Sequence, residues 1–183
     1  MPTARSEELQ ALAQRVADAL PPEVVEVVLT GSVSRGMADH VSDLELLAVT
    51  EEQLSLDAAF ELARLAGLEE RESWGDPSTP TRRVFGYLDG EAVETIWWSR
   101  ELAGELFASG GSADALVNGV SLRTSGPLAG WQERLADLSE RDPRRALRGM
   151  AELQLDTVRL APSGPNVDRA RTWLAEALAV LRR

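Results

Sequence analysis

The chain has 183 residues, 44% of them hydrophobic and 27% charged, with no cysteine, no lysine and a net charge of −11. That length allows one domain, or one domain with a helical appendix, and is enough to bury a core. Without cysteine there are no disulfides, thiolate nucleophiles or thiolate metal sites, and without lysine there is no Schiff-base chemistry, so any cationic side chain meeting a phosphate is an arginine.

Leu9, Leu12, Val16 and Leu20 recur at helical spacing and predict an amphipathic helix over 6–20, ended by Pro21-Pro22. Val24–Leu29 is an apolar run of strand length that enters a Gly31-Ser32 turn, followed by one helical turn around Ser34–Met37. A second strand is expected over Asp43–Val49. Ser55 or Asp57 opens a helix to about Ala66, stopped by Gly67, and Leu68–Trp74 reads as a short strand before a loop at 76–80. Arg82–Leu88 and Glu91–Trp98 form a hairpin around Asp89-Gly90. Ser99 caps a helix to about Phe107, Gly110-Gly111 breaks it, and 112–118 is a short helix. Helices then follow over 127–138, from Asp142-Pro143 to about Leu160, and over 167–181. The fold class read from this order is α+β: a mixed sheet flanked by helices over 1–126, then a short helical region over 127–183.

The chemistry concentrates in residues 31–45. Asp43 and Glu45 lie i,i+2 on a strand, so their side chains share a face while Leu44 and Leu46 face a core. Two adjacent carboxylates repel unless a cation lies between them, and hard oxygen donors suit Mg²⁺. The bland alternative is a solvated strand face.

This pattern resembles the nucleotidyltransferase superfamily that includes DNA polymerase beta, and most closely its small-molecule branch, of which kanamycin nucleotidyltransferase is a member. Three elements carry the resemblance in order: Gly31-Ser32-x-x-Arg35, Ser42-Asp43-Leu44-Glu45, and Ala92-Val93-Glu94-Thr95-Ile96-Trp97-Trp98. The resemblance covers roughly residues 24–140 and implies a minimal nucleotidyltransferase fold. It implies that Asp43, Glu45 and Glu94 hold Mg²⁺, with Glu91 a competitor for the third place. Gly31, Ser32 and Arg35 would hold a nucleotide triphosphate, with Arg82 and Arg83 as further candidates. Ser42 would orient Asp43. A carboxylate on a C-terminal helix, Glu152 or Asp156, would be the general base. The implied reaction is transfer of AMP from ATP to a hydroxyl of a small molecule, for instance an aminoglycoside-like antibiotic, by a homodimer with its site between subunits. The alternatives from other classes are an antitoxin acting on a protein partner, and a protein that keeps the fold but has lost the transfer.

Charge distribution bears on partners. Residues 1–120 hold 22 acids and 8 Arg, whereas residues 121–183 hold 8 acids and 11 Arg. An acidic core argues against nucleic acid as partner and suits a cationic small substrate, although solubility alone explains it equally well. No apolar run approaches the roughly 18 residues of a membrane span, and Met1–Ser6 lacks the apolar core of a signal peptide. The expectation is no membrane and a cytoplasmic location. His40, the sole histidine, sits in a loop and is expected to face solvent, and of Trp97 and Trp98 one should be core and the other either buried in the core or a dimer interface or a stacking wall for a base or sugar.

Overall fold

A computed structural model describes residues 2–74, 80–109, 118–123, 126–142 and 165–182, with 144, 148, 151 and 155. The elements are α1 (Ala4–Ala19), β1 (Val24–Leu29), α2 (Gly31–Ser34), β2 (Leu44–Thr50), α3 (Leu56–Leu65), β3 (Glu69–Trp74), β4 (Arg82–Leu88), β5 (Glu91–Ser99), α4 (Arg100–Ser109), β6 (Val120–Ser121), α5 (Leu128–Arg141) and α6 (Pro165–Leu181). Most of the short helix expected over 112–118 and most of the one expected over 143–160, with Glu152 and Asp156, lie outside the described residues.

The fold is α+β. Six strands form one mixed sheet in the order β3-β4-β5-β2-β1-β6. β2 and β5 pair in parallel, and every other neighbouring pair is antiparallel. Apolar alternation explains the two faces. Leu44, Leu46 and Ala48 of β2, Val93 and Trp97 of β5, and Val27 and Leu29 of β1 belong to one core cluster with Leu9, Ala13 and Val16 of α1 and Ala59 and Ala63 of α3. On the other face Val28, Leu47 and Val49 pack with Ala103 of α4 and Leu128 and Trp131 of α5. A parallel pair buried on both faces needs the near-continuous apolar run that Leu46–Val49 supplies.

Local signals set the element ends. Thr3 accepts the Ser6 N–H and starts α1, Ser55 accepts the Ala58 N–H and starts α3, and Ser99 accepts the Leu102 N–H at the start of α4. Asp89 and Gly90 both have positive φ, 54° and 84°, as a tight hairpin turn between β4 and β5 requires. The helical turn after β1 starts at Gly31 rather than Ser34, because Gly31 at φ 68° turns the chain at once. β6 was not expected: two residues, Val120 and Ser121, pair with Leu29 and Val28 at the sheet edge. A two-residue strand carries no period of its own, so only its partner defines it.

Candidate nucleotide and metal site

The site lies where the end of β1 meets the start of β2. Because these strands run antiparallel with Leu29 opposite Leu46, Thr30 falls beside Glu45, and its N–H donates to the Glu45 carbonyl at 3.0 Å. Gly31 follows directly and passes under the Glu45 side chain. A Cβ at Gly31 would lie 1.8 Å from Glu45 Oε2, so any other residue would push the Glu45 carboxylate aside, besides adopting a strained φ. The glycine of the Gly-Ser turn thus lets the carboxylate fourteen residues downstream lie over the turn.

Glu94 joins Glu45 through the parallel ladder. The two are register partners, each followed by a residue of the second core face two positions on, Leu47 and Ile96. They therefore stand side by side on one face of the sheet. Glu94 is not left with another carboxylate as its nearest partner: its Oε1 accepts from Arg83 Nη1 at 2.9 Å, across from β4. Phe85 and Tyr87, the next residues of β4 on that face, pack edge to face with ring centroids 5.7 Å apart.

Asp43 immediately precedes β2 and is partly buried. Burial pushes its carboxyl above the ordinary aspartate value, and the hydrogen bond from its own backbone N–H only partly offsets this. Among the described residues no arginine pairs with it in the way Arg83 pairs with Glu94. Ser42 does not orient it: the Ser42 hydroxyl accepts from the Asp39 N–H at 2.9 Å and lies 3.0 Å from Asp39 Oδ1. This corrects the expectation for Ser42. Asp39 is the nearer acceptor because the 39–42 segment closes a turn on itself, with the Val41 N–H donating to Asp39 Oδ1 at 3.1 Å.

Ser32 lies in the first turn of α2, and its carbonyl accepts the Met37 N–H at 2.9 Å. The N–H groups of Gly31 and Ser32 precede the first bond of this turn, from Ser34 N–H to the Thr30 carbonyl, so they have no partner within it. Arg35 ends α2 and lines a depression of about 400 Å³ with Pro2, Gln10, Val33, Ser34, Gly36 and Met37. None of the three carboxylates lines that depression. The loop behind α2 is tied to the start of α1: Thr3 N–H donates to the Gly36 carbonyl at 3.1 Å, Thr3 Oγ1 to the Ala38 carbonyl at 2.8 Å, and Ala38 N–H to Ser6 Oγ at 2.9 Å. Of the tryptophans, Trp97 is core, and Trp98 is half-buried with its indole N–H on Thr81 Oγ1. His40 is exposed in the turn beside Asp39.

The donor set is hard oxygen and suits Mg²⁺ at Asp43 and Glu45. Among the described residues no three histidine or carboxylate side chains converge as a cation site, and Glu94 is held by Arg83 instead.

A charged group outside the reasoning from motifs is Glu26. It is fully buried on β1, its Oε2 accepting the Leu128 N–H at the start of α5 (3.0 Å) and its Oε1 the Ser121 hydroxyl of β6 (2.6 Å). Burial raises its carboxyl, against these two bonds and the nearby Arg123 charge. The signal in the sequence is a lone acid inside the apolar run VVEVVL.

No family model matches the chain, and no curated protein matches it. Solved structures do. The conserved protein GrpB from Enterococcus faecalis is 13% identical at a TM-score of 0.46, covering 100% of this chain and 98% of that one. A nucleotidyltransferase-like protein from Exiguobacterium sibiricum is 11% identical at a TM-score of 0.39, covering 98% of this chain and 66% of that one. Cid1, in complex with its short product ApU, is 14% identical at a TM-score of 0.36, and the match spans 40% of its length. At these identities and TM-scores the likenesses fix neither a family nor an activity.

Proposed function

We propose that the protein is a metal-dependent nucleotidyltransferase that moves AMP from ATP to a hydroxyl of a small molecule. The observation that carries this reading is the seating of Glu45 over Gly31, with Asp43 two residues before it and Glu94 beside it on β5. A glycine turn held against an acidic strand brings backbone N–H groups and carboxylates to one point. That arrangement would suit phosphate oxygens lying next to a cation.

Mg²⁺ bound by Asp43 and Glu45 would neutralise phosphate charge and polarise the attacking hydroxyl. The chain's own groups do the rest. Gly31 and Ser32 offer N–H groups and a hydroxyl to phosphate oxygens, and the missing Cβ at Gly31 keeps Glu45 close to them. The acceptor oxygen attacks the α-phosphorus in line, the bond to pyrophosphate breaks, and the acceptor proton goes to a base. Glu152 or Asp156 would take that proton. The acidic core favours a cationic acceptor such as an aminoglycoside-like compound, and the assembly we propose is a homodimer.

A second reading has a specific observation behind it. The Arg83–Glu94 pair occupies the third carboxylate, which favours a protein that keeps the fold and binds a ligand without transferring AMP.

The deciding experiment is calorimetric titration of ATP, with and without Mg²⁺, into wild type and Asp43→Asn. We expect Mg²⁺-dependent binding in wild type that the variant lacks, with unchanged circular dichroism. Equal binding by both proteins removes the metal assignment. Absence of binding by wild type favours the second reading.

A further inference from the structure

We propose that Arg83 is a built-in competitor of the divalent cation: its guanidinium holds Glu94 and so weakens cation binding by the free protein. The proposal rests on the reading of Asp43, Glu45 and Glu94 as the acidic site given above.

Glu45 and Glu94 are register partners on adjacent strands, so two like charges share one face of the sheet. Such a pair calls for a cation. The chain supplies one from the next strand. Arg83 faces Ile96 in the β4–β5 ladder, two residues along from Glu94, and its side chain spans that diagonal to reach Glu94 Oε1 at 2.9 Å. Glu94 is 14% exposed and Arg83 44%. The carboxylate is therefore largely withdrawn from water while the guanidinium can leave it for solvent or for another anion. The interaction is geometrically good, yet a half-exposed ion pair is weak, so a divalent cation can displace it.

The same lone pairs cannot serve both cations, and a guanidinium beside a divalent ion also repels it. In the free protein, Glu94 thus becomes available to a cation only when Arg83 gives it up. Among the described residues no three carboxylates converge, although Glu45 and Glu94 are register neighbours. Arg83 acts through Glu94 and is a positioning residue, not one that touches the cation.

The test is titration of Mn²⁺ alone into the full chain, with free Mn²⁺ read by electron paramagnetic resonance, for wild type, Arg83→Gln, Arg83→Lys, Glu94→Gln and the Arg83→Gln/Glu94→Gln double variant. Circular dichroism checks the fold of each. Arg83→Gln should bind Mn²⁺ about tenfold more tightly than wild type, the scale on which groups bonded to ligands tune metal affinity. Arg83→Lys, which keeps the charge, should stay near wild type. In the Glu94→Gln background, Arg83→Gln should lose most of its effect. Equal affinity of Arg83→Gln and wild type overturns the role of Arg83 and leaves the acidic site standing. A tighter Arg83→Gln whose gain persists without Glu94 also overturns it, since the effect then does not pass through that carboxylate. No Mn²⁺ binding by any of the proteins overturns the site reading itself, and the role of Arg83 with it.

Discussion

At the scale of single residues, Gly31 has two independent reasons to be glycine. Its φ of 68° disfavours a side chain, and a Cβ would overlap Glu45 Oε2. The first effect costs about 1–2 kcal/mol. The second moves the carboxylate. Gly31→Ala should therefore lower stability in urea by at least about 1 kcal/mol. It should also weaken Mg²⁺-dependent ATP binding by more than its effect on stability explains. Pairing it with Glu45→Ala, which removes the overlap, should recover part of the stability. A double variant no more stable than Gly31→Ala would show that the strain lies in the backbone alone. The Gly31-Ser32 turn and the Asp43/Glu45 pair are legible in the sequence because each is a short motif. Their contact is not, since it depends on antiparallel pairing of β1 with β2. Ser42 shows the limit of adjacency: it neighbours Asp43 in the chain but bonds Asp39 in space.

At the scale of elements, Glu26 ties β1, β6 and the start of α5 together. Its carboxyl is raised by burial. For a folded-state value above the unfolded one, the stabilising contribution is fully present below the unfolded value and is lost as pH rises through the folded value. Glu26→Gln removes this dependence while keeping an acceptor oxygen. The stability of Glu26→Gln relative to wild type should increase as pH is raised from about 4 toward neutrality, measured by urea unfolding across that range. A constant difference between the two proteins would show that Glu26 is not the group responsible. Glu26→Ala should instead cost about 1–3 kcal/mol at low pH, because the Leu128 N–H loses its buried acceptor, and the cost should shrink as pH rises. Helices α1 and α3, the β4–β5 hairpin and the two long strands follow the apolar periods and caps of the sequence closely. The edge strand β6 does not, because a pairing partner rather than local composition defines it.

At the scale of the whole molecule, the sheet is covered on one face by α1 and α3 and on the other by α4 and α5. Trp131 of α5 is 5% exposed against Val28, Leu47 and Val49 of the central strands. Truncating it to alanine should cost about 3–5 kcal/mol, as for large aromatic side chains in cores. Because α5 packs on the same strands that carry the acidic site, we expect wild type to lose tryptophan fluorescence and far-ultraviolet dichroism in one coincident transition. Two separated transitions would show that α5 and the sheet unfold independently. No helix among the described residues is long and apolar enough to cross a membrane.

The sequence by itself determined the α+β class, the strands that form the core, the hairpin turn, and the residue types from which a cation and phosphate site could be built. These follow from local periods, caps and motif spacing, which depend only on neighbours in the chain. The tertiary structure alone decided that Glu45 lies over Gly31, that Glu94 stands beside Glu45 yet answers to Arg83, and that a buried Glu26 fastens the edge strand and α5. Each of these is set by strand order and register, which bring together side chains far apart in sequence and decide which charge meets which.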